Sequence, residues 1–238
     1  MNNETKPVKS KFKISNEVLN EIYFNMPVND GRCLRLFLKN LYNTDIEPGV
    51  FYNITDASFS KMTGADIRDA RKLLEGMVEG FRELPALTIR TETTVMAISW
   101  FSKCIYNKEK HIFSVKFHED IIPYIKELSG NFSQIPLQIC LEYSSSRHIA
   151  LTEWLYSNKF KKNKEGLSEV LIELEDFYSL FSVPEASRTY KILKRNVLKP
   201  YMERFKESSV GTSIKVVDSG FCCRKGSRVH SIKFIYSF

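Results

Sequence analysis

The chain has 238 residues, a formal net charge of +7 and an ordinary apolar share of 43%. That is enough for one large core or two small ones, and it argues against extended disorder. No apolar run approaches the roughly 20 residues of a membrane-spanning helix and no signal-peptide core opens the sequence, so the expectation is a cytoplasmic protein.

The first thirteen residues, with Lys6, Pro7, Lys9, Lys11 and Lys13, read as a flexible basic arm. A short apolar-polar segment follows at Glu17–Phe24. Asn29 can cap a helix through Leu34, Leu36, Phe37, Leu38 and Leu41, and Pro48-Gly49 turns the chain. Thr55 or Asp56 caps a short helix to Met62, and Thr63-Gly64 makes a turn. Asp66 then begins a longer helix with Ile67, Ala70, Leu73, Leu74, Met77 and Val78 on one face. Alternating runs at Leu87–Thr91, Val95–Tyr106 and His111–Phe117 predict strands, the last two joined by a hairpin turn at Asn107-Lys-Glu-Lys110. Helix, helix-turn-helix and hairpin make residues 14–130 a first winged-helix domain. His118–Leu128 predicts a connecting helix, and Ser129-Gly130-Asn131 the boundary.

Residues 131–238 form the second domain. It opens with one long helix from Pro136 to about Tyr156, carrying a polar patch at Ser144-Ser-Ser-Arg147, and a basic loop follows at Lys159–Gly166. Leu174–Phe181 is a short helix broken at Ser-Val-Pro184. Ser187 can cap the next, whose first turns carry Arg188, Lys191, Lys194 and Arg195. Two β-forming runs, Ser213–Val217 and Val229–Tyr236, close the chain around a turn with Arg224, Lys225 and Arg228. The fold class predicted is therefore α+β, a tandem of winged helices.

Charge is concentrated in that last unit. Residues 185–238 hold 12 Lys and Arg against 4 Asp and Glu, whereas residues 1–130 hold 18 against 17. On the helix from Ser187, the residues Arg188, Lys191, Arg195 and Lys199 recur at helical spacing and share one face. Tyr190, Leu193, Val197, Tyr201 and Phe205 share the other and should meet the core. A solvated lysine face is the bland alternative. Few acidic residues neutralise this helix before Glu203, and the hairpin adds Arg224, Lys225 and Arg228, so the pattern is an electrostatic footprint for duplex DNA. Arginine at such a helix start can reach guanine edges, while lysines hold phosphates. The matching helix of the first domain carries Lys61, Arg68, Arg71 and Lys72 interleaved with Asp66, Asp69 and Glu75. Its cations serve either DNA contact or ion pairs along the helix surface.

Enzyme chemistry finds little support. The sequence lacks a G-x-x-x-x-G-K-[ST] loop. Its histidines, His111, His118, His148 and His230, are scattered without metal spacing. Five cysteines without a C-x-x-C pair argue against zinc. Cys33, Cys104 and Cys140 fall in apolar patterns as small core residues. Cys222-Cys223 share a turn, where a redox role is the alternative. No cofactor or metal is expected.

Several segments together resemble the bacterial plasmid replication initiators with two winged helices, the Rep_3-type group that binds origin repeats called iterons. They are Ser15-Asn16-Glu-Val-Leu19, Ile112-Phe-Ser-Val-Lys-Phe117 with Ile122-Pro-Tyr-Ile125, Leu141 to Tyr156, and Tyr190-Lys-Ile-Leu-Lys-Arg-Asn-Val-Leu-Lys-Pro200 leading to the terminal strands. The resemblance runs from about Ile14 to the end. It implies that the C-terminal winged helix reads the iteron through Arg188, Lys191, Lys194, Arg195 and Lys199, and that the N-terminal domain contacts adjacent DNA and forms dimers. It also implies opening of an A·T-rich segment and recruitment of the host initiator and replicative helicase. A transcriptional repressor of the same fold is the alternative within DNA-binding proteins. A rolling-circle nickase is the alternative among enzymes.

Overall fold

The computed structural model describes residues 11–15, 27–41, 46–84, 86–90, 93–126, 132–217, 224–225 and 228–238. The segment Glu17–Phe24, the tripeptide Ser129-Gly130-Asn131 and the pair Cys222-Cys223, each singled out above, lie outside the described residues. A strand, β1 (Lys11–Ser15), comes first, followed by helix α1 (Val28–Asn40). In α1 Cys33, Leu34, Leu36, Phe37 and Leu38 are all buried, more than one helical stripe. This helix therefore runs through the interior.

Strand β2 (Tyr52–Thr55) leads into α2 (Asp56–Thr63) and α3 (Ile67–Arg82). Both helices start on the residues the sequence offers as caps. The Ser58 N–H donates to Thr55 Oγ1 (3.1 Å) and the Arg68 N–H to Asp66 Oδ1 (2.8 Å), each cap contributing about 1 kcal/mol. Gly64 ends α2 at φ +73°, a left-handed conformation that strains a side chain. Helix α3 buries Ala70, Leu74, Met77 and Phe81. Strands β3 (Leu87–Arg90) and β4 (Val95–Ile98) form a separate ribbon. The strands β5 (Phe101–Asn107) and β6 (Ile112–Phe117) join β2 in an antiparallel sheet of order β2-β6-β5. Phe37, Phe81, Phe101, Phe113 and Phe117 pack ring on ring between helices and sheet, with centroids 4.9–6.5 Å apart.

After a 3-10 turn and the short α4 (Ile122–Lys126) come β7 (Phe132–Pro136), α5 (Gln138–Glu142) and α6 (Ser146–Ser157). Then β8 (Ser168–Glu173), α7 (Leu174–Leu180), α8 (Tyr190–Leu193), a π-helical stretch (Lys194–Leu198) and α9 (Lys199–Glu207) follow. The chain closes with β9 (Ser213–Val217), the two-residue strands β10 (Arg224–Lys225) and β11 (Arg228–Val229), and β12 (Ser231–Ser237). Strands β8, β12 and β9 form the second antiparallel sheet, with β12 central. Trp154 of α6 meets Phe181 and Phe234 edge-on at 5.8 and 6.3 Å, which ties α6 to this sheet and to the turn after α7.

Three expectations change. Lys11 to Lys13, assigned to the arm, belong to β1, which pairs antiparallel with β7 (Lys11↔Pro136 to Ser15↔Phe132). Phe12 and Ile14 alternate with polar residues there, a strand period masked by the lysines. The run Val95–Tyr106 is two strands, broken where Trp100 is buried and its carbonyl accepts from the His118 N–H (3.0 Å). The helix expected over Pro136–Tyr156 breaks at Tyr143, extended at φ −100° and ψ 136°. Serines follow at 144 and 145 that favour turn conformations over helix. In addition, β8 fills a stretch between the basic loop and the Leu174 helix to which the sequence assigns no element; exposed Leu171 lies there between buried Val170 and Ile172.

Candidate nucleic-acid interface

The second helix-turn-helix is held by arginines on either side of its turn. Arg147, at the start of α6, donates from Nε to the Phe181 carbonyl (3.1 Å) and from Nη2 to the Ser182 carbonyl (3.3 Å). The Arg188 Nε donates to the Val183 carbonyl (3.0 Å). Ser182 sits at φ +41°, so these bonds fix a strained corner.

The helix then starts later than expected. Ser187 ends a 3-10 turn (Glu185–Ser187) and does not cap a helix; Thr189 occupies the N-cap position, without a side-chain cap bond. Arg188 accordingly lies before the helix, exposed but with its Nε tied back to the turn, and not on the helix's outward face. Lys191, Lys194, Arg195 and Lys199 are exposed, while Leu193, Val197, Leu198, Tyr201 and Phe205 are buried.

The π stretch explains how adjacent Val197 and Leu198 both face inward. Pro200 has no N–H and would clash with the carbonyl four residues back. One wide turn, in which the Lys199 N–H reaches the Lys194 carbonyl, accommodates it. The wide turn also counter-rotates the helix, so Lys191, Arg195 and Lys199 stay in one row. Among the described residues none of these three forms an ion pair. The Arg195 Nε donates to Asn196 Oδ1 (2.9 Å), and the Lys194 ammonium lies 5.7 Å from the Tyr190 ring centroid.

The hairpin beyond the sheet is a small ribbon in which Arg224 pairs with Val229 and Lys225 with Arg228. In chain order it lies between β9 and β12, and it forms a sheet of its own.

In the first half, Asp66 and Glu75, two of the three acidic residues interleaved with the α3 cations, are engaged elsewhere, and Asp56 from the start of α2 takes Arg71 instead. Asp56 accepts from Arg71 Nε (2.7 Å) and lies 3.7 Å from His111 Nδ1, Glu75 pairs with Lys108, and Asp66 Oδ1 is spent on its cap. Arg71 is thus a structural cation. Lys61, Arg68 and Lys72 are exposed, and among the described residues none has an ion-pair partner. The i, i+3 and i, i+4 pairing that would have accounted for them is not formed.

Two family models cover most of the chain: "Initiator Replication protein, WH1" matches residues 11–156 and "Initiator Rep protein, WH2" residues 173–236. The chain belongs to the initiator replication protein family. This initiator is built of two winged-helix domains, and the first match extends through α6, beyond the boundary expected near Gly130. Its fold is similar to that of the Pi initiator protein, solved in complex with iteron DNA, at 17% identity and TM-score 0.78 over 96% of this chain and 97% of that one. The WH1 domain of MSBI1.176, a replication protein isolated from a multiple sclerosis patient, is 16% identical with TM-score 0.37, over 47% of this chain and 88% of that one. No curated protein sequence matches significantly.

The initiator's other polar groups are mostly structural. His148 lies between the rings of Tyr143 and Tyr201 (6.3 and 5.4 Å), and burial, aided by the nearby Arg147 charge, holds its pKa below the ordinary value. Burial pushes the Cys104 and Cys140 thiols up to about 12, which keeps them protonated and unreactive. Among the described residues there is no cluster of three or more potential metal ligands, and no helix is long and apolar enough to cross a membrane.

Sequence reasoning missed Arg32, Arg35 and Glu153, and placed Arg147 in a polar patch without its role at the turn. The Arg35 guanidinium meets the Glu153 carboxylate through two bonds of 2.5 Å, with side chains 3% and 0% exposed. A charge inside the apolar runs Cys33–Leu38 and Ile149–Leu155 is the signal that could have found this pair.

Proposed function

We propose that this initiator binds repeated duplex DNA at a plasmid origin through both winged helices, the second domain reading base sequence. One observation carries the reading. Lys191, Arg195 and Lys199 form an exposed, unneutralised row on a helix whose opposite side is core, and the row is followed by a basic ribbon. A fold shared over nearly the whole chain with an initiator solved on iteron DNA supports the same arrangement here. Arg195 and Lys191 are assigned to base edges, and Lys194, Lys199, Arg224, Lys225 and Arg228 to phosphates. Ser187 and Arg188 support the turn. Lys61, Arg68 and Lys72 supply phosphate contacts from the first domain, beside Arg71, which Asp56 holds.

The first domain is also assigned self-association. Val95 and Met96 on β4 and Ile105 on β5 are 63%, 42% and 38% exposed, an apolar strand surface of the kind that pairs with another copy. Domain limits near 14–130 and 131–238 are retained for the separation of these roles, with β7 and α6 as the shared joint. Melting of an A·T-rich segment, contact with the host initiator and helicase, a cytoplasmic location and the lack of catalytic activity complete the proposal.

Binding-site selection from a random duplex pool tests it. The full chain should enrich one asymmetric sequence of about two helical turns. A palindrome would support a repressor, and no enrichment would overturn sequence-specific binding. Covalent linkage to a cut strand would support the nickase.

A further inference from the structure

The two recognition helices are joined through a short chain of rigid contacts. In the first domain, Phe37 of α1 packs on Phe81 of α3 at 6.5 Å. Gly80 of α3 lies so close to α1 that a β-carbon there would collide with the Asp30 carboxylate. Arg35 of α1 then makes its two bonds to Glu153 of α6, and its Nη1 donates to the Gly31 carbonyl (2.9 Å). One turn earlier, the Arg32 Nε donates to the Cys140 carbonyl (2.9 Å), and its Nη2 donates to the Leu141 and Tyr143 carbonyls (3.3 and 3.0 Å) at the end of α5.

On the other side, the neighbours of Glu153 grip the second domain. Thr152 Oγ1 is hydrogen-bonded with the Tyr201 hydroxyl of the recognition helix (3.1 Å), and the Tyr236 hydroxyl donates to the Leu155 carbonyl (2.7 Å).

Most packing between helices is apolar and tolerates small slides. A bidentate guanidinium–carboxylate pair does not, because both hydrogen bonds fail together when either plane shifts. Taking both charges out of water nearly cancels their attraction, so such a pair contributes little net stability compared with apolar residues of similar size. Its effect is on geometry.

We propose that Arg35 and Glu153 are positioning residues that fix the separation and phase of the two recognition helices, and so determine the spacing of the two DNA segments this initiator accepts. The inference rests on the reading that both domains contact DNA.

The test uses the full chain and the duplex it selects from a random pool, with one or two base pairs inserted or deleted between the two protected segments. Wild type should lose roughly tenfold or more in affinity for each such change, comparable to a mismatched pair. The double variant Arg35→Met/Glu153→Leu removes both charges and keeps the volume. It should bind the unaltered site within about threefold of wild type and vary by less than about threefold across all spacings. Arg35→Lys retains the charge without the fork. It should give an intermediate profile, and it serves if the double variant does not fold. A folded variant of either kind with the wild-type profile would overturn the proposal. A wild type indifferent to spacing, protecting only one segment, would overturn the two-domain reading along with it.

Discussion

Arg195→Ala removes a guanidinium that touches no core residue: its Nε donates only to the neighbouring Asn196 side chain, and the residue is exposed. The change should therefore alter folding stability by less than about 0.5 kcal/mol. Binding is different. A guanidinium paired to a guanine edge contributes about 1–3 kcal/mol of discrimination, so affinity for the selected site should fall roughly 5- to 150-fold. Affinity for random duplex should fall by no more than one lost phosphate contact. Lys199→Ala, one turn further along the row, should weaken all duplexes alike and flatten the log–log salt slope by about 0.9. Fluorescence anisotropy across a salt series, repeated site selection and a thermal melt separate these effects. An Arg195→Ala protein with wild-type stability, affinity and base preference would show that this helix does not read DNA.

Replacing Arg224, Lys225 and Arg228 together by Ala should flatten the salt slope by about two to three units while leaving base preference intact; a wild-type slope would mean that the ribbon is not on the backbone. Val95→Lys/Met96→Lys should convert a self-associating chain to monomer in sedimentation without weakening binding to a single site, and an unchanged distribution would remove the first-domain strands from the interface. Burial holds the folded-state pKa of His148 below its ordinary 6.5, so its contribution to stability is complete above that pH and is lost as pH falls through 6.5 towards the lower folded value. The urea midpoint should fall between about pH 7.5 and 5, less steeply in His148→Gln; equal slopes would contradict this.

The helix-turn-helix pairs and terminal strands were legible because they rest on local signals. Thr55, Gly64 and Asp66 punctuate the first, the Ser-Val-Pro184 break the second, and β-branched alternation marks β9 and β12. Much of what stayed hidden depends on contacts distant in sequence. Lys11 to Lys13 look like part of a lysine-rich arm until β7, more than 100 residues later, supplies a partner. Arg35 and Glu153 look like stray charges in apolar helices until they meet 118 residues apart. The recognition helix was misread at its start because Ser187 has cap chemistry, yet the 3-10 turn delays the helix to Tyr190 and leaves Arg188 before it, bonded back to the Val183 carbonyl. Its cationic row was still found, since the π stretch forced by Pro200 preserves the alignment of residues four apart.

Hydroxyl-radical footprinting of the full chain on the duplex flanking its own gene tests the central claim most directly. The account predicts protection recurring in direct repeats of about twenty base pairs. Each repeat should show two protected patches on one face of the duplex, about one helical turn apart, one for each winged helix. A single palindromic footprint, or one patch per site, would contradict it.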